Sequence, residues 1–548
     1  MSSGAASGVP YTSRVGAGEP AGTRWWLGGT LAVAALLQLV VVNAWPRFDS
    51  PNERGRAYQA IAVASRGSLD ISPELERFGT MEDVAAFGGR RFPNKAPGVL
   101  PLVVPGALLA RAAGGGPAHE LASTLFLGRL LAASLPFALT VLLLARAAVP
   151  RYPRGGPLAV VAYALATPAL AASLVLFSHA LTACLLLAAF LLLLDSERPG
   201  WRAAALAGAL LGWAAACEYS AALPGAIVVA AALPRLRARG LVAAVAGAAV
   251  PAALLAAYDA ACFGSPLSIA SAHETYATFA GLSTQGFMGI SMPTLSGIAG
   301  LLISTARGLL VWAPLAAFAL PAACARSNWP TDRWGRLALW SAPLALLLAM
   351  SGYPNWHGGW FPGPRYLLPV LPLVFLLAAR WAELVLADPR GRVIAGAAAL
   401  WGLAMAWPCL ATFPFPPEDV PLPALTLAPG LLAQGIRTPS WLPAAVVVPA
   451  VALVALCAGA ALLAVATPTG SLAERAATLG VLAAAIAAAA FVSYPATWQA
   501  SLERAVIHDV YGGGPPGALE ALAPRAETLL QRRQVEAWID RRGAPLVR

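Results

Sequence analysis

The sequence predicts an all-α polytopic membrane protein with about thirteen transmembrane helices, because long apolar segments recur along the chain and a helical span needs roughly 20 apolar residues. Composition supports this fold class. Of 548 residues, 58% are apolar and only 11% are charged, and the mean hydropathy is +0.68. Such a chain has too few polar residues to cover a soluble globule. The clearest apolar segments are 25–45, 125–145, 158–176, 366–386 and 441–466.

The first apolar segment, 25–45, is predicted to remain as a span. It is longer than the core of a signal peptide, and no small-x-small cleavage site precedes the polar run 47–53. The net charge of +11 does not require a nucleic-acid partner. Arginines in short loops between spans are explained by the positive-inside rule, so membrane lipids are the expected partners of this surface.

The cysteines predict neither disulfides nor a metal site, because no two of them have CxxC spacing and most lie within or at the ends of apolar spans. No cluster of metal ligands with recognisable spacing is present, and the loops contain no P-loop or GxGxxG motif. We therefore predict no metal and no cofactor. The six cysteines are Cys184, Cys217, Cys262, Cys324, Cys409 and Cys457.

The orientation of the chain depends on segment 96–112, which is apolar but contains Pro97, Pro101 and Pro105. Prolines remove helix donors, and a segment that lies along the surface puts every arginine-rich loop on the same side as Arg14 and Arg24. This arrangement predicts a cytoplasmic tail at 1–24, a transmembrane domain at 25–495 and an outside tail at 496–548. Within the domain, the first outside loop, 48–124, carries juxtamembrane helices.

Parity then assigns the remaining outside segments, and nearly all polar residues of chemical interest fall in them. Because the inside loops are short and basic, no nucleotide-dependent chemistry is expected there. The outside segments are 177–179, 218–220, 263–307, 352–365 and 413–440.

The first outside loop begins with two acidic residues, Asp49 and Glu53, at the membrane surface. A carboxylate within hydrogen-bond reach of a hydroxyl can act as a general base, so both residues are catalytic candidates. An ordinary loop is the alternative, with Glu53 paired to Arg56 or capping a helix, and spacing alone leaves both interpretations open.

Three cations are candidates to bind a phosphate at membrane depth. Lys95 begins the proline-broken surface segment, where a lysine either binds phosphate or extends towards the interface. Arg129 lies near the outer end of an apolar span, and charges within a membrane are costly and usually functional. Arg365 ends a loop rich in glycine, proline and aromatic residues, and can hold a phosphate through two hydrogen bonds.

Other polar or aromatic residues in the outside segments are candidates for substrate contacts, although helix capping and an interfacial aromatic belt are alternatives. The long loops 263–307 and 413–440 are expected to frame an acceptor site. His273 and Glu274 fit a solvated loop more simply than a site. The candidate contact residues are His179, Glu218, Tyr219, His357, Trp360 and Tyr366.

Several motifs resemble the GT-C superfamily of membrane glycosyltransferases, which includes protein O-mannosyltransferases and lipid A aminoarabinose transferases. The acidic motif FDSPNE at 48–53, the motif KAP at 95–97 and the motif GRLL at 128–131 carry the resemblance. The motifs FGSP at 263–266, QGFMG at 285–289 and GGWFPGPRYLLP at 358–369 look like a bacterial subgroup of that superfamily.

The resemblance implies a multi-pass protein of the bacterial cytoplasmic membrane that transfers a sugar from a polyprenyl-phosphate donor, with inversion, on the outer face. The acceptor is a glycan, a lipid or a protein. Asp49 would be the general base, with Glu53 orienting it or sharing the role. Lys95, Arg129 and Arg365 would neutralise the departing lipid phosphate. In O-mannosyltransferases the two acids are closer together, so the choice between Asp49 and Glu53 stays open.

A transporter or flippase for a lipid-linked or anionic substrate is the alternative function. Transporters place their polar sites near the bilayer midplane, often on broken helices in repeated halves. Here the polar residues cluster at the outer ends of the spans and no internal repeat is visible, which favours an enzyme over a transporter. A membrane scaffold without activity is a third possibility, in which Asp49, Lys95 and Arg365 are separately replaceable.

Overall fold

A computed structural model describes residues 27–35, 50–196, 198–322, 333–418, 420–435, 444–467, 470–493, 497–511, 517–526, 531–532, 534–536 and 539. The predicted tail 1–24, Asp49 and Cys324 lie outside these residues, and the predicted first span is described only at 27–35, which is helical. The α-helices are Pro51–Arg66, Ser72–Phe78, Leu100–Ala113, Gly116–Arg129, Leu135–Ala148, Gly155–Leu165, Pro168–Ala172, His179–Leu194, Trp201–Cys217, Ala222–Ala232, Ala238–Phe263, Ala277–Ser283, Leu295–Ile303, Leu309–Trp312, Ala319–Ala322, Arg333–Ser351, Leu371–Val385, Pro389–Thr412, Pro423–Thr426, Ala428–Ala433, Ala444–Ala466, Leu472–Ser493, Thr497–Tyr511 and Ala518–Leu522.

Short helices of other types join these elements. A π-helical turn at Leu130–Ser134 connects two α-helices into one continuous helix, Gly116–Ala148. Two strands, Val84–Phe87 and Arg90–Pro93, pair as an antiparallel hairpin. The 3₁₀ helices are Pro97–Val99, Tyr219–Ala221, Leu233–Arg235, Ala270–His273, Pro314–Phe318, Arg365–Val370 and Ala523–Arg525.

The predicted all-α membrane fold is confirmed. In the part of the chain that the structure describes, seven helices are long and apolar enough to cross a membrane, and six shorter apolar helices accompany them. The seven are Gly116–Ala148, Ala238–Phe263, Arg333–Ser351, Arg365–Val385, Pro389–Thr412, Pro449–Ala466 and Leu472–Ala490. The six are Pro97–Ala113, Gly155–Leu165, His179–Leu194, Trp201–Cys217, Tyr219–Arg235 and Pro423–Ala433.

The long helix Gly116–Ala148 fixes the depth of Arg129. At 1.5 Å per residue, the 19 steps from Arg129 to Ala148 extend about 28 Å. This length nearly matches the roughly 30 Å hydrocarbon core of a bilayer. If Ala148 lies at the inner boundary, as the prediction has it, Arg129 lies at the outer boundary, and the first turns of the helix project beyond the membrane beside Leu100–Ala113.

One end of the bundle is held by contacts between segments that the sequence predicts to lie inside. The Glu383 carboxylate accepts hydrogen bonds from the backbone N–H groups of Arg154 and Gly155, and so caps the start of the Gly155–Leu165 helix. Ion pairs join other loops at the same end. They are Arg151 with Asp195 and Arg392 with Glu474.

The segments predicted to lie outside meet one another, and we call the surface that they form the predicted outer end. Arg307, which is fully buried, donates to the carbonyl oxygens of Gly359 and Pro416 at 3.0 and 2.9 Å. This one side chain therefore connects loops 263–307, 352–365 and 413–440. The described part of the C-terminal tail packs on the same end, where Leu502, Val506 and Leu519 form a small core against Trp360.

The β-hairpin belongs to the first outside loop and was not predicted from the sequence. Gly88 and Gly89 form its turn with positive φ values of 57° and 76°, which suit the tight turns that connect antiparallel strands. The backbone N–H and hydroxyl of Thr275 both donate to the Val84 carbonyl, at 3.0 and 2.9 Å. The hairpin thus docks loop 263–307 against the first loop, just before Lys95.

The helices Trp201–Cys217 and Ala238–Phe263 approach closely through glycines. A methyl group built on Gly208 would lie 2.0 Å from the Ala244 carbonyl oxygen, and one on Gly247 would lie 2.0 Å from that of Ala205. Small residues allow this backbone contact between membrane helices. In lipid, close van der Waals packing replaces the hydrophobic effect as the force that holds helices together.

We expect Gly208→Ala to destabilise the protein by about 1–3 kcal/mol, because the added methyl group forces these two helices apart. The measurement is thermal unfolding of the purified protein in a fixed detergent. Gly480→Ala is the matched control, since Gly480 is also helical but has nothing within 4 Å of the added methyl group. That variant should retain or slightly raise the unfolding temperature. Equal unfolding temperatures in the two variants would contradict the close packing at Gly208.

Candidate functional site

Glu53 is a fully buried carboxylate at the start of the Pro51–Arg66 helix. Ser50 is the N-cap of this helix, and Ser50 and Glu53 form a reciprocal capping box, with hydrogen bonds of 3.4 and 3.2 Å. The sequence S-x-x-E is the signature of this motif. One of the two interpretations left open by the sequence, that Glu53 caps a helix, therefore describes its backbone contacts.

Arg129 completes the surroundings of this carboxylate. Its Nε and Nη2 donate to the two oxygens of Glu53 at 2.8 and 3.1 Å, and the backbone N–H of Leu176 donates to Oε1 at 2.7 Å. With Ser50, four hydrogen bonds reach Glu53. A carboxylate so engaged has little capacity left to accept a substrate proton, and Arg129 directs two of its donors away from any phosphate.

We expect Arg129→Ala to destabilise the protein by about 3–5 kcal/mol, because it leaves the buried Glu53 without its counter-charge. Arg77→Ala is the control. Arg77 forms an ion pair with Glu120 in the same loop but is 41% exposed, and such pairs contribute at most about 1 kcal/mol. Thermal unfolding in detergent compares the two variants. Replacing Glu53 and Arg129 together by Leu and Met should recover part of the loss, and no such recovery would contradict a simple buried pair.

Lys95 lies in a cluster with two carboxyl groups that come from different loops. Its Nζ is 3.2 Å from Oδ1 of Asp83. The side-chain amide of the adjacent Asn94 donates to Asp83 at 3.3 Å and to both oxygens of Glu274 at 2.9 Å. Glu274, expected to be solvated, is therefore part of the cluster.

The two carboxyl groups of this cluster have different electrostatic surroundings. Asp83 has a lysine in direct contact, whereas Glu274 receives hydrogen bonds only from a neutral amide. Burial raises the pKa of Glu274 to about 7, and the charge of Asp83 acts in the same direction, against the opposing effects of Asn94 and Lys95. Glu274 can consequently change its protonation state near neutral pH.

Arg365 is a cation without a carboxylate partner among the described residues. Its guanidinium lies over the rings of Phe177 and Tyr366, at 5.5 and 5.2 Å from their centroids, and packs against Gly358. The Tyr366 hydroxyl is 3.5 Å from Nη2, and Nε is buried with no hydrogen-bond partner. Aromatic faces hold this cation in position and leave donors free for an anion.

Tyr353 interacts electrostatically with Arg365 and with the two carboxyl groups of the Lys95 cluster. Its ring meets that of Tyr366 edge to face, with 5.8 Å between centroids. Burial is the main reason why the pKa of Tyr353 is raised, and Tyr366, Glu274 and Asp83 add to the effect, whereas Arg365 opposes it. The carboxyl groups of the Lys95 cluster and Arg365 are thus within electrostatic range of the same phenol.

A second group of predicted residues surrounds His179. Its Nδ1 is 2.7 Å from Oε1 of Glu218, which also accepts a hydrogen bond from Thr182. Arg56 donates to the Ser178 hydroxyl at 3.2 Å. Burial lowers the pKa of Arg56 to about 10, against the opposing charge of Glu218, so the guanidinium remains protonated at neutral pH. The ring of His179 contacts Phe177, which also supports Arg365.

His357 and Trp360 contact the loop 413–440. Nδ1 of His357 is 3.1 Å from Oε2 of Glu418. Burial acts to raise the pKa of Glu418, but the hydrogen bond from His357 and nearby positive charges lower it below its usual value. Trp360 meets Phe413 edge to face at 6.1 Å. These contacts connect loop 352–365 to loop 413–440.

The structure places most residues predicted from the sequence in small groups. Lys95 pairs with Asp83, Arg365 packs on Tyr366, His179 pairs with Glu218, and Glu53 pairs with Arg129. Tyr219 lies next to Glu218 in a 3₁₀ turn. Asp49 lies outside the described residues, immediately before the N-cap of Pro51–Arg66. Sequence reasoning missed Asp83 and Glu418, which no motif marks. Within the described chain, no three His, Cys, Asp or Glu side chains form a group suited to a metal ion.

No protein-family model and no curated protein sequence matches the chain. Among solved structures, it is similar to ArnT from Cupriavidus metallidurans bound to undecaprenyl phosphate, with 17% identity, a TM-score of 0.49, and coverage of 83% of this chain and 78% of ArnT. The apo state of ArnT gives 18% identity, a TM-score of 0.48, and coverage of 82% and 78%.

The chain is also similar to the oligosaccharyltransferase AglB from Archaeoglobus fulgidus, in complex with an inhibitory peptide and a dolichol-phosphate. The identity is 14%, the TM-score is 0.43, and the match covers 95% of this chain and 60% of AglB. The similarity is one of overall architecture.

Proposed function

We propose that this protein is a glycosyltransferase that moves a sugar from a polyprenyl-phosphate donor to an acceptor on the outer face of the bacterial cytoplasmic membrane. The observation that supports it best is a pair of cations, Lys95 and Arg365, of which Arg365 and the Lys95 partner Asp83 both act on Tyr353. Arg365 has a buried Nε without a partner, so the site has spare donors for an anion. Phosphate is the anion that such a combination of lysine and arginine suits.

The position of these cations favours a phosphate that is attached to a lipid. Arg365 is the first residue of the candidate span Arg365–Val385, and Lys95 precedes the apolar helix Pro97–Ala113. Both therefore lie where apolar helices end. A phosphate bound between them would lie at headgroup depth, with its polyprenyl chain free to enter the bilayer.

The proposed reaction is a single displacement with inversion. An acceptor hydroxyl attacks the anomeric carbon while the bond from that carbon to the phosphate oxygen breaks, and the electron pair remains on the phosphate. Asp49 is proposed to take the acceptor proton. Lys95 and Arg365 would stabilise the charge that develops on the phosphate. For Glu53 and Arg129 we propose a positioning role, because each is engaged by the other.

The acceptor is proposed to approach between the two groups of polar residues that flank Arg365. One group is His179 with Glu218, and the other is His357 with Glu418. Tyr219 and Tyr366 provide further phenols at this end. Glycan, lipid and protein acceptors are all compatible with these side chains.

We expect purified protein in lipid to transfer or release sugar from at least one member of a panel of labelled polyprenyl-phosphate sugars. In Asp49→Asn, turnover should fall at least about 10²-fold, because the general base is lost, while donor binding persists. Asp70→Asn is the control, since Asp70 is an acid of the same loop whose Oδ1 accepts hydrogen bonds from the backbone N–H and the hydroxyl of Ser72. If no donor turns over and the donor instead crosses liposomes in a manner that survives Asp49→Asn, the protein is a transporter.

We also expect Lys95→Gln and Arg365→Gln to weaken donor binding by roughly tenfold or more each, because a charge-assisted hydrogen bond to phosphate contributes about 1.5–3 kcal/mol. Equilibrium binding of an unlabelled polyprenyl phosphate, measured by competition, gives the affinity. Arg111→Gln removes an exposed arginine from the same outside loop and should leave the affinity unchanged. An equal loss in all three variants would indicate a general electrostatic attraction and no specific site.

A further inference from the structure

The Lys95 cluster contains two carboxyl groups that one amide connects. Asn94 is buried, with 8% of its surface exposed, and its Nδ2 donates hydrogen bonds to both Asp83 and Glu274. Its Oδ1 has no hydrogen-bond partner among the described residues, so the side-chain contacts described for this amide are those to the two carboxyl groups. The amide therefore keeps Glu274 beside the residue that follows it in the chain, Lys95.

The two carboxyl groups differ in their partners. Asp83 forms an ion pair with the Lys95 ammonium, 3.2 Å away. Glu274 accepts from the neutral amide of Asn94, and its burial and the charge of Asp83 raise its pKa against the opposing effects of Asn94 and Lys95. A carboxyl group whose pKa lies near neutral can carry a proton for catalysis.

We propose that Glu274 is the general acid that protonates the leaving phosphate oxygen of the donor. This inference rests on the proposed glycosyl transfer. It depends on the geometry, because a phosphate held by Lys95 would lie next to the carboxyl group that Asn94 keeps there. Among the described carboxyl groups, the amide of Asn94 connects only Glu274 and Asp83 to Lys95, and Asp83 already forms an ion pair with the ammonium.

The proton balance of the step is complete. As the bond between the anomeric carbon and the phosphate oxygen breaks, its electron pair goes to that oxygen, which takes the proton of Glu274. Asp49 takes the proton of the attacking hydroxyl. The products are the glycosylated acceptor and a protonated polyprenyl phosphate, and both acids return to their starting states by exchange with solvent.

Glu274 is not needed to attach its loop. Thr275 bonds to Val84 through its backbone N–H and its hydroxyl. The preceding His273 stacks on Phe263 with 4.9 Å between ring centroids. These contacts remain when the carboxyl group is replaced by an amide, so a loss of catalysis in Glu274→Gln would not follow from loss of the loop.

The charged or titratable groups that act on Glu274 are Asp83 and Lys95 from the first loop and Tyr353 from the loop after Arg333–Ser351. An anionic donor bound at Lys95 adds a further negative charge and raises the pKa of Glu274 above its value in the free protein. Since the acid must be protonated to act, kcat should decrease as the pH rises through and above about 7.

The test compares wild type and Glu274→Gln in a transfer assay from about pH 5.5 to about pH 9, in steps of about half a unit. Donor affinity is measured separately. We expect kcat of the variant to be roughly 10²-fold lower with no decrease at high pH, and the affinity for polyprenyl phosphate to be retained. A phosphorothioate donor, whose leaving group is less basic, should recover part of the loss. Glu76→Gln, which changes an exposed acid of the first loop, should behave as wild type.

The outcomes separate the two proposals. If wild type turns over no donor, both the proposed function and the role of Glu274 are overturned. If wild type is active and Glu274→Gln keeps its kcat or its high-pH decrease, only the role of Glu274 is overturned. Should Glu274→Gln fail to fold, Glu274→Asp retains an acid. It is expected to retain the high-pH decrease at a lower kcat, and loss of that decrease would contradict the proposal.

Discussion

The buried pair of Glu53 and Arg129 is the interaction on which the predicted outer end depends. It joins three segments that are far apart in the sequence, namely the Pro51–Arg66 helix, the long helix Gly116–Ala148 and the turn at Leu176. A buried ion pair adds little net stability, because the cost of desolvation offsets most of the attraction. Its effect is on position, since any other register would leave a charge without a partner. It thereby fixes Ser50, the neighbour of Asp49, against the turn that precedes His179.

The same principle explains how irregular loops can frame a site at a membrane surface. Buried backbone carbonyl groups need hydrogen-bond donors, and irregular loops lack the regular backbone N–H donors that a helix supplies. Arg307 supplies them for Ala306, Gly359 and Pro416 at once, because a planar guanidinium has several donors in a fixed arrangement. Loop 352–365 is thus held by Arg307, through the carbonyl of Gly359, and by the C-terminal core, through Trp360.

Local properties of the chain could be predicted from the sequence, whereas pairings across the fold could not. Apolar length and arginine position predicted the membrane fold, and the segments assigned to one side do meet at one end. The capping box at Ser50 is also a local signal, because it needs only four residues. Asn94 and Glu274, however, are 180 residues apart, and no spacing rule connects them. Glu274 consequently fitted a solvated loop, although the β-hairpin brings it next to Lys95.

Three described carboxyl groups near the site differ in what surrounds them, and this difference separates their possible roles. Glu53 accepts four hydrogen bonds and is paired with Arg129. Asp83 is paired with the Lys95 ammonium, so a phosphate bound there, as proposed, would compete with Asp83 for this cation. Glu274 has an amide alone and is poised near neutral pH. A site that must bind an anion and then receive more negative charge needs all three conditions, because a carboxylate next to a phosphate is tolerable only when it is paired or protonated.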